Sequence, residues 1–414
     1  MAIFNPLKAI RPKSEYAHKV AALPYDVMNS EEAREMVKDN PYSFLHVDKA
    51  EIDLPEDTYL YSDEVYNKAK ENLDKLVSDG ICIDDVTPKY YIYRQIMNGR
   101  AQTGIVGAAS IDDYINGAIK RHEFTRADKE EDRIRHIDTC DANTGPIFLT
   151  YRHKDEISSF IKSFCEENSP IYDFESDKVQ QTVWEIADEK QISSLKEMLS
   201  QAGDYYIADG HHRCASAAKV GIKRREENPD FNGTEEFNFF LAVLFADSDL
   251  EIMDYNRVIK DTNGLDNDEF LNKISGKFEV EKQNSYEPFR PQEKHTFGLY
   301  LDKCWYKLTA KDGIFDESDP VDRLDVSILQ NNLISPILGI TDPRTDKRID
   351  FVGGIRGLKE LERRAQSDMK IAFSMFPTTL DDLMSIADAG KVMPPKSTWF
   401  EPKLLSGLFI HKLK

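Results

Sequence analysis

A mixed α/β fold of the α+β kind is predicted for this 414-residue chain by two observations. Strand-like and helix-like segments alternate irregularly, which fits neither a strict βαβ series nor a helical bundle. No repeat period and no low-complexity linker interrupts the chain, which excludes a solenoid or array. With 40% hydrophobic and 31% charged residues, the chain is ample for a sizeable core and long enough for two domains.

Each element has a local reason. Residues 22–27 (ALPYDV) and 40–46 (NPYSFLH) hold prolines that fix φ, so they read as rigid turns. Ordered polar turns of this kind line substrate sites, which singles out Tyr25 and Asp26. Residues 89–96 (KYYIYRQI) and 103–110 form strands around Asn98-Gly99, a hairpin signal. Residues 129–140 are charged and helix-compatible, and 146–151 (PIFLTY) form a buried strand. A strand follows at 183–187 and an amphipathic helix at 192–201. Residues 237–245 are the most apolar strand and should be central. Strands at 278–281, 296–301 and 304–308 suggest a small antiparallel sheet. Helices at 321–333 and 358–365 flank a strand at 349–352, and a late strand (371–376) precedes a last helix (381–389). Gly353-Gly354-Ile355-Arg356-Gly357 lacks a P-loop ending and dinucleotide-type glycine spacing, so it reads as a strand-to-helix turn. The polar stretch 224–234 predicts an exposed excursion, and the domains are expected to be 1–230 and 231–414.

The net charge of −20 argues against a generic nucleic-acid binder. No apolar run is long enough to span a bilayer, and the first residues predict no secretory signal. Cys82, Cys140, Cys165, Cys214 and Cys304 are scattered without a CxxC pair, which fits a reduced cytoplasm.

The densest chemistry lies in 205–213 (YYIADGHHR). An apolar strand runs into Asp209-Gly210, a turn dipeptide, and then into the small-residue helix begun by Cys214-Ala215-Ser216. Amides at a helix start attract anions, and an arginine beside them can fork phosphate oxygens. Asp209, Gly210, His211, His212 and Arg213 are therefore a candidate phosphate site. A second region is Lys120-Arg121-His122-Glu123, followed by Lys129 and Arg133. Glu123 is a candidate general base, with His122 beside the substrate. Lys129 and Arg133 share a helix face at i, i+4 and could clamp phosphate, unless Glu130, Glu131 and Asp132 neutralise them. A third is 393–400 (MPPKSTWF), where Lys396, Ser397 and Thr398 could touch an anion while Trp399-Phe400 anchors the segment. A metal site built from His122, His211, His212, Asp209 and Glu123 ranks lower, because adjacent histidines seldom point at one ion and HExxH is absent.

Taken together, LPYDV, NPYSFLHV, His122-Glu123 with a downstream K-x-x-x-R, PIFLTY, IADGHHR and MPPKSTWF resemble, in order and over essentially the whole chain, the bacterial and archaeal domain-of-unknown-function family 1015. The DGHHR element is similar to that of free serine kinases of the ParB/sulfiredoxin-like superfamily. That resemblance implies a ParB/sulfiredoxin-like core around the DGHHR turn, embedded in a larger mixed-sheet enzyme. It implies that Glu123 activates a serine hydroxyl and that Asp209, His211, His212 and Arg213 bind the phosphoryl group. The implied activity is a kinase making O-phosphoserine, linked to serine metabolism, with ATP, ADP or pyrophosphate as donor. His211 or His212 would protonate or orient a phosphate oxygen. Mg²⁺ is expected with the donor and Asp209 as its contact, since a carboxylate against phosphate without a cation would be repulsive. The partners are then a small substrate and a donor, without nucleic acid or membrane. The alternatives are a phosphatase on phosphoserine or a similar ester, a ParB-like nucleotide-binding regulator, and a non-catalytic sensor of a phosphorylated amino acid.

Overall fold

A computed structural model describes residues 2–284 and 287–414. The chain forms two compact units, Met1–Leu250 with Pro402–Lys414, and Glu251–Glu401. The division falls at 250 and not at the expected 230. The apolar strand Phe239–Ala246 is the reason: it is hydrogen-bonded on both sides within the first unit's sheet, so no boundary can precede it. The class is mixed α/β, as predicted.

The first unit holds a nine-stranded sheet in the order 119–120, 205–209, 147–151, 239–246, 100–110, 90–97, 179–186, 172–176, with 4–5 added along 100–110. Phe239–Ala246 pairs antiparallel to Arg100–Ser110 and parallel to Ile147–Tyr151, and seven of its eight residues are buried. The Asn98-Gly99 hairpin has positive φ at both residues (52° and 80°), as a two-residue turn of matching twist requires. A second such turn, Asp177-Lys178 (φ 50° and 64°), joins Tyr172–Ser176 to Val179–Ile186. It carries no glycine, so the sequence reading began that strand four residues late. Helix His211–Glu227 also runs further than expected, into the predicted excursion, because Arg224 is buried against Asp138 and Asp141. A small four-stranded sheet joins Cys82–Asp84, Ala9–Pro12, Ile410–Lys412 and Ala142–Asn143. The long amphipathic helix Asp63–Ser78 buries Val65, Tyr66, Ala69, Leu73 and Leu76. Among the described residues, no helix is long and apolar enough to cross a membrane.

The second unit is a six-stranded sheet in which every neighbour is antiparallel, ordered 278–282, 304–310, 296–301, 371–375, 255–259, 349–353. Gly353 ends its strand and leads through a 3₁₀ turn into helix Leu358–Ser367, as the sequence reading had it. The predicted helix 321–333 starts and ends later and is irregular: Asp325–Leu329 passes through a π-turn at Gln330–Ile334 into Ser335–Leu338.

Asp325 in this unit is buried, at 8% exposure. Its Oδ1 accepts the His295 amide at 2.8 Å, while Oδ2 meets no partner. Burial raises its carboxyl to about 7, and Asp382 adds to this against Lys294 and the His295 amide. Folding therefore favours the protonated form. This contribution is complete below the unfolded carboxylate range and is lost as pH rises from about 4 towards 7. Asp325→Asn is expected to stabilise the second unit at pH 7.5 by on the order of 2 kcal/mol and to change little at pH 4. Urea titrations at both pH values, read by tryptophan fluorescence, check this, and an equal shift at both would contradict it.

Candidate functional site

The site is built where one strand stops and another loop passes beside it. Strand Tyr205–Asp209 pairs parallel with Ile119–Lys120, Tyr205 opposite Ile119 and Tyr206 opposite Lys120. Both chains leave the sheet in the same direction, so the loop after Lys120 arrives beside the DGHHR turn. Gly210 makes the turn with φ +92°, and helix His211–Glu227 begins at once. Glycine is required here twice over. The conformation is left-handed, and a Cβ would lie 3.3 Å from Arg213 Cζ, where the guanidinium folds back over the turn.

The two motifs touch. The His122 and His211 rings meet edge to face with centroids 4.4 Å apart. The His122 amide donates to His211 Nε2 at 3.5 Å, and Glu123 Oε2 lies 4.0 Å from His211 Nδ1. The Arg126 amide donates to His212 Nε2 at 3.0 Å. An accepting Nε2 places the proton of each neutral ring on Nδ1. For His211 that proton points at Glu123, and for His212 it is left for another acceptor. Burial pushes His122 down to about 4 and His211 well below its ordinary value. Burial also lowers His212, so all three rings are neutral at pH 7.

Burial would raise Asp209, but Lys403 and Arg213 hold its carboxyl well below the usual range. Lys403 Nζ stands 3.0 Å from Oδ2, and the Gly210 amide donates to Oδ1 at 2.8 Å. Asp209, the expected Mg²⁺ contact, is thus engaged by a lysine and a backbone amide. Burial works against the Arg213 charge, but Asp26 and Asp209 overcome it and raise its pKa. Its Nη1 donates to the Pro146 carbonyl, and its Nε is buried without a partner.

Helix Ala127–Cys140 packs on the motif helix through Ser216 to the Glu130 carbonyl (3.0 Å) and Lys223 to Asp138 (2.6 Å). This sets Arg133 over the Tyr25 ring at 4.0 Å, with Asp132 accepting from its Nε at 2.9 Å. Arg133, Tyr25 and Arg213 line one cavity with Asp48, His136 and Thr144. The predicted clamp is therefore split. Lys129 turns to Tyr61, whose hydroxyl is 3.3 Å away and whose ring lies beneath the ammonium at 5.9 Å. Asp26 is exposed at the turn, and burial raises the Tyr25 hydroxyl to about 12.

Asp48, His136 and Thr144 were not singled out in the sequence. Thr144 donates to Asp48 Oδ1 at 2.7 Å, and His136 Nε2 bonds the Val47 carbonyl at 3.0 Å. Asp48 directly follows the NPYSFLHV turn, and Thr144 stands two residues before PIFLTY, so both motifs held the signal one or two residues outside their edges.

Lys396, Ser397 and Thr398 belong to the second unit. There the segment's polar groups serve its own docking. Ser397 Oγ donates to Pro394 O (2.6 Å), the Lys396 carbonyl accepts from Arg257 (2.9 Å), and the Lys396 ammonium lies 5.7 Å over the Tyr255 ring. Trp399 packs edge-on against Tyr255 at 5.0 Å, the anchoring expected of it.

His122, Glu123 and His211 each offer a ligand atom within 4.8 Å of the others. Two imidazoles do not fit Mg²⁺, which takes oxygen ligands and keeps its waters.

A free serine kinase mutant solved with AMP shares 14% identity over 77% of this chain and 94% of its own, with a TM-score of 0.39. A conserved hypothetical protein from Pyrococcus furiosus shares 15% over 76% and 98%, with a TM-score of 0.36. SbnI with a C-terminal truncation, from Staphylococcus aureus, shares 11% over 73% and 85%, with a TM-score of 0.37. No curated protein matches the chain. A family match spanning residues 4–327 assigns the chain: it belongs to the family described as protein of unknown function, DUF1015.

Proposed function

We propose that this protein transfers a phosphoryl group from ATP, ADP or pyrophosphate to the hydroxyl of free L-serine, making O-phosphoserine. The observation that carries the reading is the meeting of Glu123 with the first turn of the DGHHR helix. A carboxylate and an anion-binding helix start at one point supply a base and a phosphate seat. As the serine oxygen forms its bond to phosphorus, its proton passes to Glu123, and the bond from phosphorus to the donor's leaving oxygen breaks. The leaving group is ADP, AMP or phosphate. Arg213 and the helix amides balance charge on the phosphoryl oxygens. The Nδ1 proton of His212 is a further donor to them.

The charges around the cavity at Arg213 complement those of a zwitterion. Arg133 and Arg213 offer two cations for a carboxylate, and Asp48 a carboxylate for an ammonium. Mg²⁺ travelling with the donor phosphates supplies further charge neutralisation. Its protein contact is reassigned from Asp209 to the donor's own oxygens and water, since Lys403 already pairs with that carboxylate.

Purified protein is incubated with L-serine, Mg²⁺ and, separately, ATP, ADP and pyrophosphate, and O-phosphoserine is sought by mass spectrometry. Product with one donor establishes the kinase and selects its donor. Release of phosphate from added phosphoserine, without synthesis, replaces the kinase by the phosphatase. Silence in both directions overturns the serine assignment.

A further inference from the structure

The Glu123 cluster holds more than a base needs. We infer that His122, Glu123 and His211 form a binding site for a divalent transition-metal ion of the zinc, manganese or iron kind. Two independent observations carry this. One ligand atom from each residue lies within 4.8 Å of the others. Separately, His122 is 1% exposed, and neither of its ring nitrogens makes a hydrogen bond. The Ile207 backbone lies nearby without the geometry of one. Buried polar side chains in folded proteins are almost always satisfied by protein or water, so an imidazole without a formed hydrogen bond, facing a second imidazole and a carboxylate, marks a missing ligand.

The donor set selects the ion. Two imidazoles with one carboxylate are a recurrent set for zinc and for non-haem iron, and a poor one for Mg²⁺ or Ca²⁺. Bonds of about 2.0–2.1 Å place tetrahedral ligand atoms about 3.4 Å apart, so closing on an ion from separations within 4.8 Å needs a contraction of at most about 1.4 Å. Glu123, whose side chain is 48% exposed, can close its 4.0 Å separation from His211 Nδ1, and small rotations of the two rings supply the rest. An ion at His211 Nδ1 would take the place of the proton now facing Glu123. The ring's other nitrogen would then carry the proton, and its contact with the His122 amide, at 3.5 Å, is long enough to yield. The exposed side of Glu123 leaves a coordination position open to solvent or substrate.

With the ion in place Glu123 is a ligand, and the proton-accepting role proposed above belongs to the ion-free site. The inference does not rest on phosphoryl transfer and is tested without serine or donor. The full chain is stripped of metal and titrated with Zn²⁺ and with Co²⁺. Retained metal is measured after dialysis, and the Co²⁺ absorption spectrum reports coordination. The expected result is one equivalent per chain with a low-coordinate Co²⁺ spectrum, at least tenfold weaker in His122→Ala, His211→Ala and Glu123→Gln. His153→Ala, which alters an exposed histidine beside Asp155, should bind as the parent does. If the histidine variants do not fold, Glu123→Gln decides, because its half-exposed side chain tolerates the change. Failure to retain an ion, or retention unchanged in Glu123→Gln, overturns the site and leaves the kinase reading standing.

Discussion

Arg213→Ala is expected to lower the rate of phosphoryl transfer about 10²–10³-fold, the usual effect of removing one preorganised electrostatic donor. Arg213 lies in the first turn of the motif helix, folds over Gly210 and reaches the Pro146 carbonyl. Asp26 and Asp209 hold it charged against burial. Removing it costs the phosphoryl oxygens a cation and leaves Asp209 to Lys403 and the Gly210 amide. Arg213→Lys should recover only part of the loss, since an ammonium cannot reproduce the planar fork. Initial rates with saturating donor and serine, beside a circular dichroism melt, separate the two effects. A variant that melts as the parent does and retains its full rate would remove Arg213 from the reaction.

Glu123→Gln should reduce kcat about 10²–10⁴-fold, the span of a positioned general base. The change is isosteric and the side chain is 48% exposed, so stability should move by less than about 0.5 kcal/mol. Serine binding should survive, because Arg133, Arg213 and Asp48 lie with the cavity and not with Glu123. The expected signature is a lowered kcat at nearly constant KM. A raised KM at unchanged kcat would make Glu123 a binding residue.

Local chemistry made half of this legible beforehand. Asn98-Gly99 announced its hairpin because only residues tolerant of positive φ suit that turn. Asp177-Lys178 makes the same turn with residues that do not advertise it. Asp-Gly before His-His-Arg located the strand-to-helix junction for the same reason. What stayed hidden is what the sheet brings together from far along the chain. Lys403 reaches Asp209 across 194 positions, and no spacing rule connects them. Lys129 and Arg133 share a helix face as their interval implied, but Tyr61 draws one away while Tyr25 keeps the other. The domain boundary failed because the polar excursion at 224–234 lies inside the first unit, ahead of its most apolar strand.

The return of Pro402–Lys414 to the first unit sets an order of events on the ribosome. At about 5–20 residues per second, making Glu251–Glu401 takes roughly 8–30 s. Throughout that interval strand Ala9–Pro12 lacks its neighbour Ile410–Lys412, so a sheet edge stays open to pairing with other chains. Asp209 equally lacks Lys403 and has only Arg213 and the Gly210 amide to hold its charge. A nascent chain is thus at its most adhesive and least competent together, and both conditions end when the same short segment emerges.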